Sequence, residues 1–421
     1  ITCRDWSSDV CSSDLWQFEH LSRLLDHCYR HVPYYKTLWQ RHGVSPADIT
    51  CLADLRKLPV LKKSDIPPNL ERMIADEHDR SDLQFCHTGG TTGTSLQFYM
   101  PPQIIKFRWA LFWRHRKRFN IAFDSPFATF TGLVAVPLLQ ARPPFWRSNL
   151  FMKQTIFTMH HIVPDKAKSI VDRLNRGGFE YYSGYPSILS TLAGLVVEQN
   201  LKITRPPKVV FTGAENLYDN QRALISDVFG CPVTDLYGVS EGCGNASRCE
   251  HDRYHEDFEL GILECGEPER IDAHTTRGKI LATGLRNEAM PFIRYEVGDV
   301  GVWSDEPCAC GRHSRVLTGI DGRDEDFVLT PEGARILRFD YIFKDTVNVR
   351  EAQVVQKEPG QICIRIVKRP GYAGTDEAYI RSEIKAKISE RLQVDFEYTP
   401  EIERGASGKF RAVVSSMKQP H

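Results

Sequence analysis

Residues 87–95 read His87-Thr88-Gly89-Gly90-Thr91-Thr92-Gly93-Thr94-Ser95. Three glycines and four threonines fall within nine residues, just before the strand-like Leu96-Gln97-Phe98-Tyr99. Glycines let a backbone approach an anion closely, and N–H groups and hydroxyls then point at phosphate oxygens. Taken alone, such a run reads equally as a flexible surface loop. It is not a Walker A loop, because no Lys-Ser/Thr follows the last glycine. The meaning of the stretch depends on its surroundings.

Downstream of the loop the chain alternates between two periodicities. Phe127–Gly132 is strand-like, Asp165–Arg176 helical, Phe179–Ser183 a strand and Pro186–Gln199 a helix. Lys208–Thr212 is a strand, Tyr218–Phe229 a helix and Val233–Tyr237 a strand. Strands separated by ten-to-fifteen-residue helices predict βαβ units, and therefore an α/β fold with mostly parallel sheets. Ligand sites in such sheets lie beyond the carboxyl ends of the strands. Thr212-Gly213-Ala214-Glu215 and Tyr237-Gly238-Val239-Ser240-Glu241 fall at two such ends.

From Phe258 to Trp303 the glycines crowd together and the β-branched runs shorten to Leu260–Glu264, Lys279–Thr283 and Val297–Trp303. This predicts a small antiparallel subdomain. Gly319–Asp326 reads as a hinge. Beyond it, strands at Glu351–Gln356, Ile362–Val367 and Val394–Tyr398 around a helix at Glu377–Leu392 predict a mobile C-terminal α+β lid. The expected division is 16–322 for the large N-terminal domain and 323–421 for the lid.

Nearer the start, Phe18, Leu21, Leu24, Leu25 and Cys28 recur at helical spacing. The run Tyr29-Arg30-His31-Val32-Pro33-Tyr34-Tyr35 reads as two packed helix ends. Pro102–Asn120 is a basic helix interleaved with aromatics, which predicts one buried aromatic face and one solvated basic face. Residues 1–15 stand apart. Asp5 to Leu15 back-translates to a string matching a common sequencing-library adapter, so 1–15 is expected to be a non-native, adapter-derived tail. Re-amplifying the locus from source DNA tests this, and Cys3 and Cys11 are left out of every site argument.

Composition narrows the class of protein. The chain has 421 residues, 41% of them hydrophobic, with 54 basic and 54 acidic side chains. Zero formal net charge argues against a broad nucleic-acid or anionic-membrane surface. No apolar run approaches the roughly 20 residues needed to span a bilayer. The expected location is cytoplasmic. Twelve cysteines in a chain this long do not make a secreted disulfide scaffold. Most are expected as buried thiols, with a subset as metal ligands.

Six motifs follow one another in order: the glycine loop, Thr212-Gly213-Ala214-Glu215, Tyr237-Gly238-Val239-Ser240-Glu241, Arg294-Tyr295-Glu296-Val297-Gly298-Asp299, Gly322-Arg323-Asp324-Glu325-Asp326, and Ser407-Gly408-Lys409. This order resembles the adenylate-forming superfamily of acyl-CoA synthetases. Within it the chain is most similar to the phenylacetate-CoA ligase branch and its CapK-like capsular-polysaccharide-biosynthesis relatives, over roughly Leu21 to Val414. The opening aromatic run and Leu58-Pro59-Val60-Leu61-Lys62-Lys63-Ser64-Asp65 share in the resemblance.

The resemblance implies ATP-dependent activation of a carboxylic acid to an acyl-adenylate, with transfer to coenzyme A or to an amine or hydroxyl. It also implies a role for each matching residue. Thr88, Gly90, Thr91, Thr92 and Gly93 would cradle the β- and γ-phosphates. Ser240 would sit near the α-phosphate, and Glu241 would ligate Mg²⁺. Tyr237 and Gly238, with Gly213, Ala214 and Glu215, would flank adenine. Asp299 would accept the ribose hydroxyls, Arg323 would reach the nucleotide as the lid closes, and Lys409 would bridge carboxylate and α-phosphate. Tyr182 and Tyr185, with Phe130, would lie near the acyl pocket.

Two departures stand out. Thr94-Ser95 replaces the Lys-Pro of many members, and Glu325, followed by Asp326, stands where a hinge aspartate is usual. The expected partners are a small-molecule carboxylate and an acyl acceptor, with a homodimer as the assembly, no nucleic acid and no membrane span. A catalytically silent nucleotide-binding protein is the rival reading.

A second constellation is Cys249, His255, Cys308 and Cys310, with His251 in reserve. Three thiolates and an imidazole suit a structural Zn²⁺ ion. The Cys-x-Cys spacing is tighter than that of the usual zinc motifs, and similar cysteine pairs occur in this branch of the family. Buried thiols with surface histidines are the alternative.

Overall fold

The computed structural model describes residues 12–87, 96–323, 327–333, 335–336, 339–343, 346, 348–404 and 410–417. The chain gathers into two compact units, each built from separate stretches: 1–116 with 236–320, and 117–235 with 321–421.

The first unit is assembled on an apolar core that spans its two stretches. Helices Ser12–His31 and Pro33–Arg41 bury Leu21, Leu24, Leu25, Cys28, Tyr35 and Trp39, the period the sequence predicts. The helix begins at Ser12, inside the stretch attributed to the adapter. Tyr35 donates from Oη to Pro291 O at 2.9 Å, so the aromatic run is two packed helix ends. Three long antiparallel strands, Gly261–Arg270, Thr275–Gly284 and Tyr295–Ser304, form the predicted antiparallel layer. Leu61 adds a bridge to Tyr295 along its edge. The buried Arg294 donates to Glu264 and to the carbonyls of Leu58 and Arg56. Arg294 thus ties the Leu58–Leu61 segment to the strand that carries Asp299.

The second unit holds the parallel sheet. Strand Phe127–Thr131 pairs in parallel with Gln154–Thr158 on one side and Tyr181–Gly184 on the other. Tyr181–Gly184 pairs in parallel with Val209–Gly213. Helices Pro164–Gly177, Pro186–Glu198 and Asp219–Phe229 supply Ile170, Leu174, Leu189, Leu192, Ile225 and Phe229 to its core. Gly184 stands opposite Phe130, and a Cβ there would meet Phe130 O at 2.5 Å. Gly184→Ala is expected to destabilise the unit by about 1–3 kcal/mol, measured as a lower denaturant midpoint.

The same unit contains the C-terminal α+β layer. Val349–Glu358 pairs antiparallel with Gln361–Lys368, which pairs in parallel with Gln393–Tyr398. Val413–Ser415 joins the far edge in parallel, and helix Gly374–Lys387 covers the face through Ile380 and Ile384. Of the stretch read as a hinge, 319–323 ends strand Val316–Arg323, and 324–326 lie outside the described residues.

Candidate active site

The chemistry-bearing motifs of the first unit converge beyond strand Val233–Gly238. The chain turns there, with Gly242 at φ 72°, leaving Ser240 exposed and Glu241 buried. Tyr295, 1% exposed, donates from Oη to Glu241 Oε1 at 2.8 Å. Arg108 donates to Ser240 O at 3.2 Å. Burial lowers the pKa of its guanidinium, while the carboxylate of Glu241 acts in the opposite direction. The turn therefore presents a cation, a carboxylate and a hydroxyl-bearing residue together. One strand pair away, Tyr237 donates from Oη to Asp299 Oδ2 at 2.8 Å. Gly298, at φ 85°, bends the strand just before that aspartate.

Arg108 is absent from the set read from sequence because its helix looks like a surface helix. Helix Pro102–Arg118 differs from the expectation of a buried aromatic face and a solvated basic one. It buries Ile104, Leu111, His115 and Arg116, while Trp109 is 56% exposed. Arg114 pairs with the buried Asp257 at 2.6 Å and with Glu259. His115 Nε2 donates to Arg248 O at 3.0 Å. The basic residues turn inward because buried carboxylates and carbonyls await them, and nothing local in the sequence signals those partners.

In the second unit, Gly213, Ala214 and Glu215 follow strand Val209–Gly213. Ala214 takes φ 68°, a left-handed conformation that costs a residue with a Cβ roughly 1–2 kcal/mol. That turn aims the Glu215 carboxylate at two backbone donors: Ser187 N at 3.1 Å, in the first turn of helix Pro186–Glu198, and Phe410 N at 2.6 Å. Burial raises the pKa of this carboxyl, opposed by the two N–H bonds and Arg404. Glu215 therefore anchors the residue that follows Lys409. Glu215→Ala would leave both donors unsatisfied, each worth about 1–3 kcal/mol, and a lower thermal midpoint is the expected readout.

Close by, a cavity of 210 Å³ lies between helices Pro186–Glu198 and Asp219–Phe229 and the C-terminal layer. It is edged by Thr191 donating to Glu351 at 2.9 Å and by the Arg350–Glu198 pair at 2.6 Å. Tyr182 and Phe130 pack into the core of this unit. Tyr182 is 1% exposed, edge-on to Phe229 at 5.3 Å, and Phe130 stacks on Phe157 at 5.2 Å. Both are core, which corrects their place near the acyl pocket.

The four sulfur and imidazole residues do come together. Hairpin strands Asn245–Arg248 and Tyr254–Glu256 carry Cys249 and His255, and the tight turn after strand Tyr295–Ser304 carries Cys308 and Cys310. Gly311, at φ 74°, closes that turn by donating to Cys308 O at 3.0 Å. The four ligand atoms lie within 4.8 Å of one another. Cys249 Sγ is 3.7 Å from Cys308 Sγ, and Cys310 Sγ is 3.2 Å from His255 Nε2. A tetrahedral ion with bonds of about 2.3 Å sets its sulfurs about 3.8 Å apart, so the cluster fits zinc. Burial pushes the Cys249 thiol up to about 11, a penalty that a divalent cation would offset. His251 contributes its backbone N–H to Cys249 Sγ at 3.3 Å rather than its ring. Among the described residues no cysteine forms a disulfide, and Cys28, Cys231 and Cys243 are buried as expected.

The remaining sequence-predicted residues lie outside the described ones: Thr88, Gly90, Thr91, Thr92, Gly93 and Lys409, with Glu325 and Asp326. The strands flanking the glycine loop, Gln84–His87 and Gln97–Met100, pair antiparallel with His87 opposite Gln97. Arg323 ends strand Val316–Arg323, and its side chain is not described.

Comparison with known proteins bears on the fold. A crystal structure of 2-hydroxyisobutyryl-CoA ligase in complex with R3-HIB-AMP superposes with a TM-score of 0.75 and 17% identity. The match covers 99% of this chain and 94% of that one. Phenylacetate-coenzyme A ligase of Thermus thermophilus is 25% identical over 351 residues, 74% of this chain and 71% of the relative. Protein CapK of Staphylococcus aureus is 22% identical over 416 residues, 96% of this chain and 90% of the relative. The chain has the adenylate-forming ligase fold, and its sequence is similar to phenylacetate-CoA ligases and to CapK. More narrowly, residues 328–416 match the CapK C-terminal domain family. Among the described residues no helix is long and apolar enough to cross a membrane.

Proposed function

We propose that this chain joins a carboxylic acid to the α-phosphate of ATP, expels pyrophosphate, and passes the acyl group from the acyl-adenylate to an acceptor. The observation that carries the proposal is the turn at Ser240-Glu241. There Tyr295 donates to the buried Glu241 carboxylate and Arg108 donates to the backbone carbonyl of the exposed Ser240, next to the Tyr237–Asp299 pair. The reaction brings two anions together and builds charge on the phosphates, so it needs positioned cations and donors.

In this reading Glu241 would hold Mg²⁺ against the phosphates; a carboxylate with phosphate oxygens suits that hard ion, which neutralises charge when bound. Arg108 would add fixed positive charge, and Ser240 would donate to the α-phosphate. Tyr237 and Gly238 would meet adenine, with Tyr237 also holding Asp299 toward the ribose hydroxyls. Gly213 and Ala214 would line the adenine side, while Glu215 anchors Phe410 and with it the end of the segment bearing Lys409. Thr88, Gly90, Thr91, Thr92 and Gly93 would cradle phosphates, Arg323 would reach the nucleotide, and Lys409 would bridge carboxylate and α-phosphate. Cys249, His255, Cys308 and Cys310 would hold a structural Zn²⁺ ion. ATP use places the work in the cytoplasm.

Coenzyme A is the first acceptor to consider, as in phenylacetate-CoA ligases. A second reading, transfer to an amine or hydroxyl, follows from the resemblance to capsular-polysaccharide-biosynthesis relatives; the match to CapK spans nearly the whole chain and includes the C-terminal layer. The test is incubation with Mg·ATP and a panel of carboxylates, with hydroxylamine to trap acyl-adenylate and coenzyme A, amines or sugars as acceptors. A hydroxamate formed with one acid establishes activation, and the accepted nucleophile decides between the readings. ATP binding without hydroxamate from any acid would favour the silent binding protein.

A further inference from the structure

On the last two turns of helix Ser12–His31, His27 and His31 stand four residues apart, so their rings share one face. The ring centroids are 5.2 Å apart. The chain returns to this face at Asp76 and Glu77. Asp76 donates its N–H to His31 O at 2.9 Å, and its Oδ1 accepts from His31 Nδ1 at 2.9 Å. His27 Nε2 lies 2.9 Å from Glu288 O.

These partners fix which ring nitrogens carry the protons. A carbonyl oxygen has no proton to give, so Nε2 of His27 is its N–H; an ionised aspartate has none either, so Nδ1 of His31 is its N–H. The other ring nitrogens, His27 Nδ1 and His31 Nε2, both face one carboxylate. His27 Nδ1 is 3.7 Å from Glu77 Oε2, and His31 Nε2 is 3.5 Å from Glu77 Oε1. One nitrogen from each ring and a Glu77 carboxylate oxygen thus converge within 4.8 Å of one another.

We propose that His27, His31 and Glu77 form a surface site for a divalent transition-metal ion such as zinc, cobalt or nickel. Two imidazoles and a carboxylate suit that class of ion. Bonds of about 2.0–2.1 Å set tetrahedral ligands about 3.3 Å apart, close to the separations found. The Glu288 carbonyl and the Asp76 carboxylate stand behind the two rings as orienting partners stand behind metal-binding histidines. The negative pole of the helix lies at this end and favours a cation. His27 and His31 side chains are 16% and 31% exposed and Glu77 53%, so an ion can enter from solvent and water can complete its coordination. The ion cross-braces the helix end to the Asp76–Glu77 turn and, through His27, to the chain at Glu288. This site is separate from the cysteine cluster in its residues and its donor chemistry.

The test uses the untagged full chain, with the cysteine cluster loaded with zinc and loose metal removed by a weak chelator. Titration calorimetry with Zn²⁺ is expected to show one further equivalent and a rise in thermal midpoint. His27→Ala and His31→Ala should each abolish both effects, while Glu77→Gln, at an exposed position that leaves the fold undisturbed, should weaken binding about tenfold or more. His42→Ala should bind as wild type does. Co²⁺ at this site should absorb without the sulfur charge-transfer band that a thiolate cluster shows. No further equivalent in the wild type, or an equivalent that survives in both alanine variants, would overturn the proposal, as would a sulfur band from the added cobalt.

Discussion

Replacing Glu241 with Gln is expected to lower carboxylate-dependent adenylation by about 10²–10³-fold, the usual size of losing one preorganised charge-stabilising group. The fold should be barely affected. A glutamine carbonyl still accepts from Tyr295 Oη, which holds the present carboxylate at 2.8 Å. What disappears is the negative charge beside Arg108, and with it the proposed hold on Mg²⁺. The Mg²⁺ requirement should therefore rise along with the loss of rate. Tyr295→Phe is the contrasting variant: it keeps the charge and removes the orienting hydrogen bond, so a milder loss is expected. Steady-state rates over a Mg²⁺ series, with a thermal melt of each variant, separate the two effects. Unchanged activity in Glu241→Gln would remove this carboxylate from the chemistry.

Cys308→Ser should release one equivalent of zinc per chain and lower the thermal midpoint sharply. A serine hydroxyl at that position cannot replace a thiolate as a ligand for zinc, and a thousandfold loss of affinity corresponds to about 4 kcal/mol. The effect should be structural. The cluster joins the hairpin 245–256 to the turn after strand Tyr295–Ser304, and that strand carries both Tyr295 and Asp299. Adenylation should then fail in proportion to unfolding and recover on cooling. Metal analysis of wild type and variant checks the first part, and activity against temperature the second. Wild-type protein purified without chelator and free of zinc would retire the metal.

The sequence made the regular elements visible because burial imposes a period. Leu21, Leu24, Leu25 and Cys28 mark a helix, and the βαβ rhythm from Phe127 to Val233 marks a parallel sheet, since each such element must bury one face. The four metal-type residues were legible by chemistry alone, because thiolate and imidazole side chains have few reasons to share so few loops. What escaped depends on long-range partners. Arg108 looked like one more cation on a basic helix until Ser240 and Glu241 came to meet it, 132 residues away for the serine carbonyl. Glu215 is placed beside adenine by the resemblance alone. Its bond to Phe410 N–H spans 195 residues and leaves no local trace. Tyr182 sits at a strand end, where an aromatic can face a ligand or the core, and only the packing against Phe229 decides.

The central claim is activation through an acyl-adenylate, and carboxylate-dependent exchange of labelled pyrophosphate into ATP tests it most directly, with wild type beside Lys409→Ala. Exchange that depends on a particular acid and collapses in the variant is the predicted result. ATP binding without exchange for any acid, or exchange that Lys409→Ala leaves intact, would contradict it.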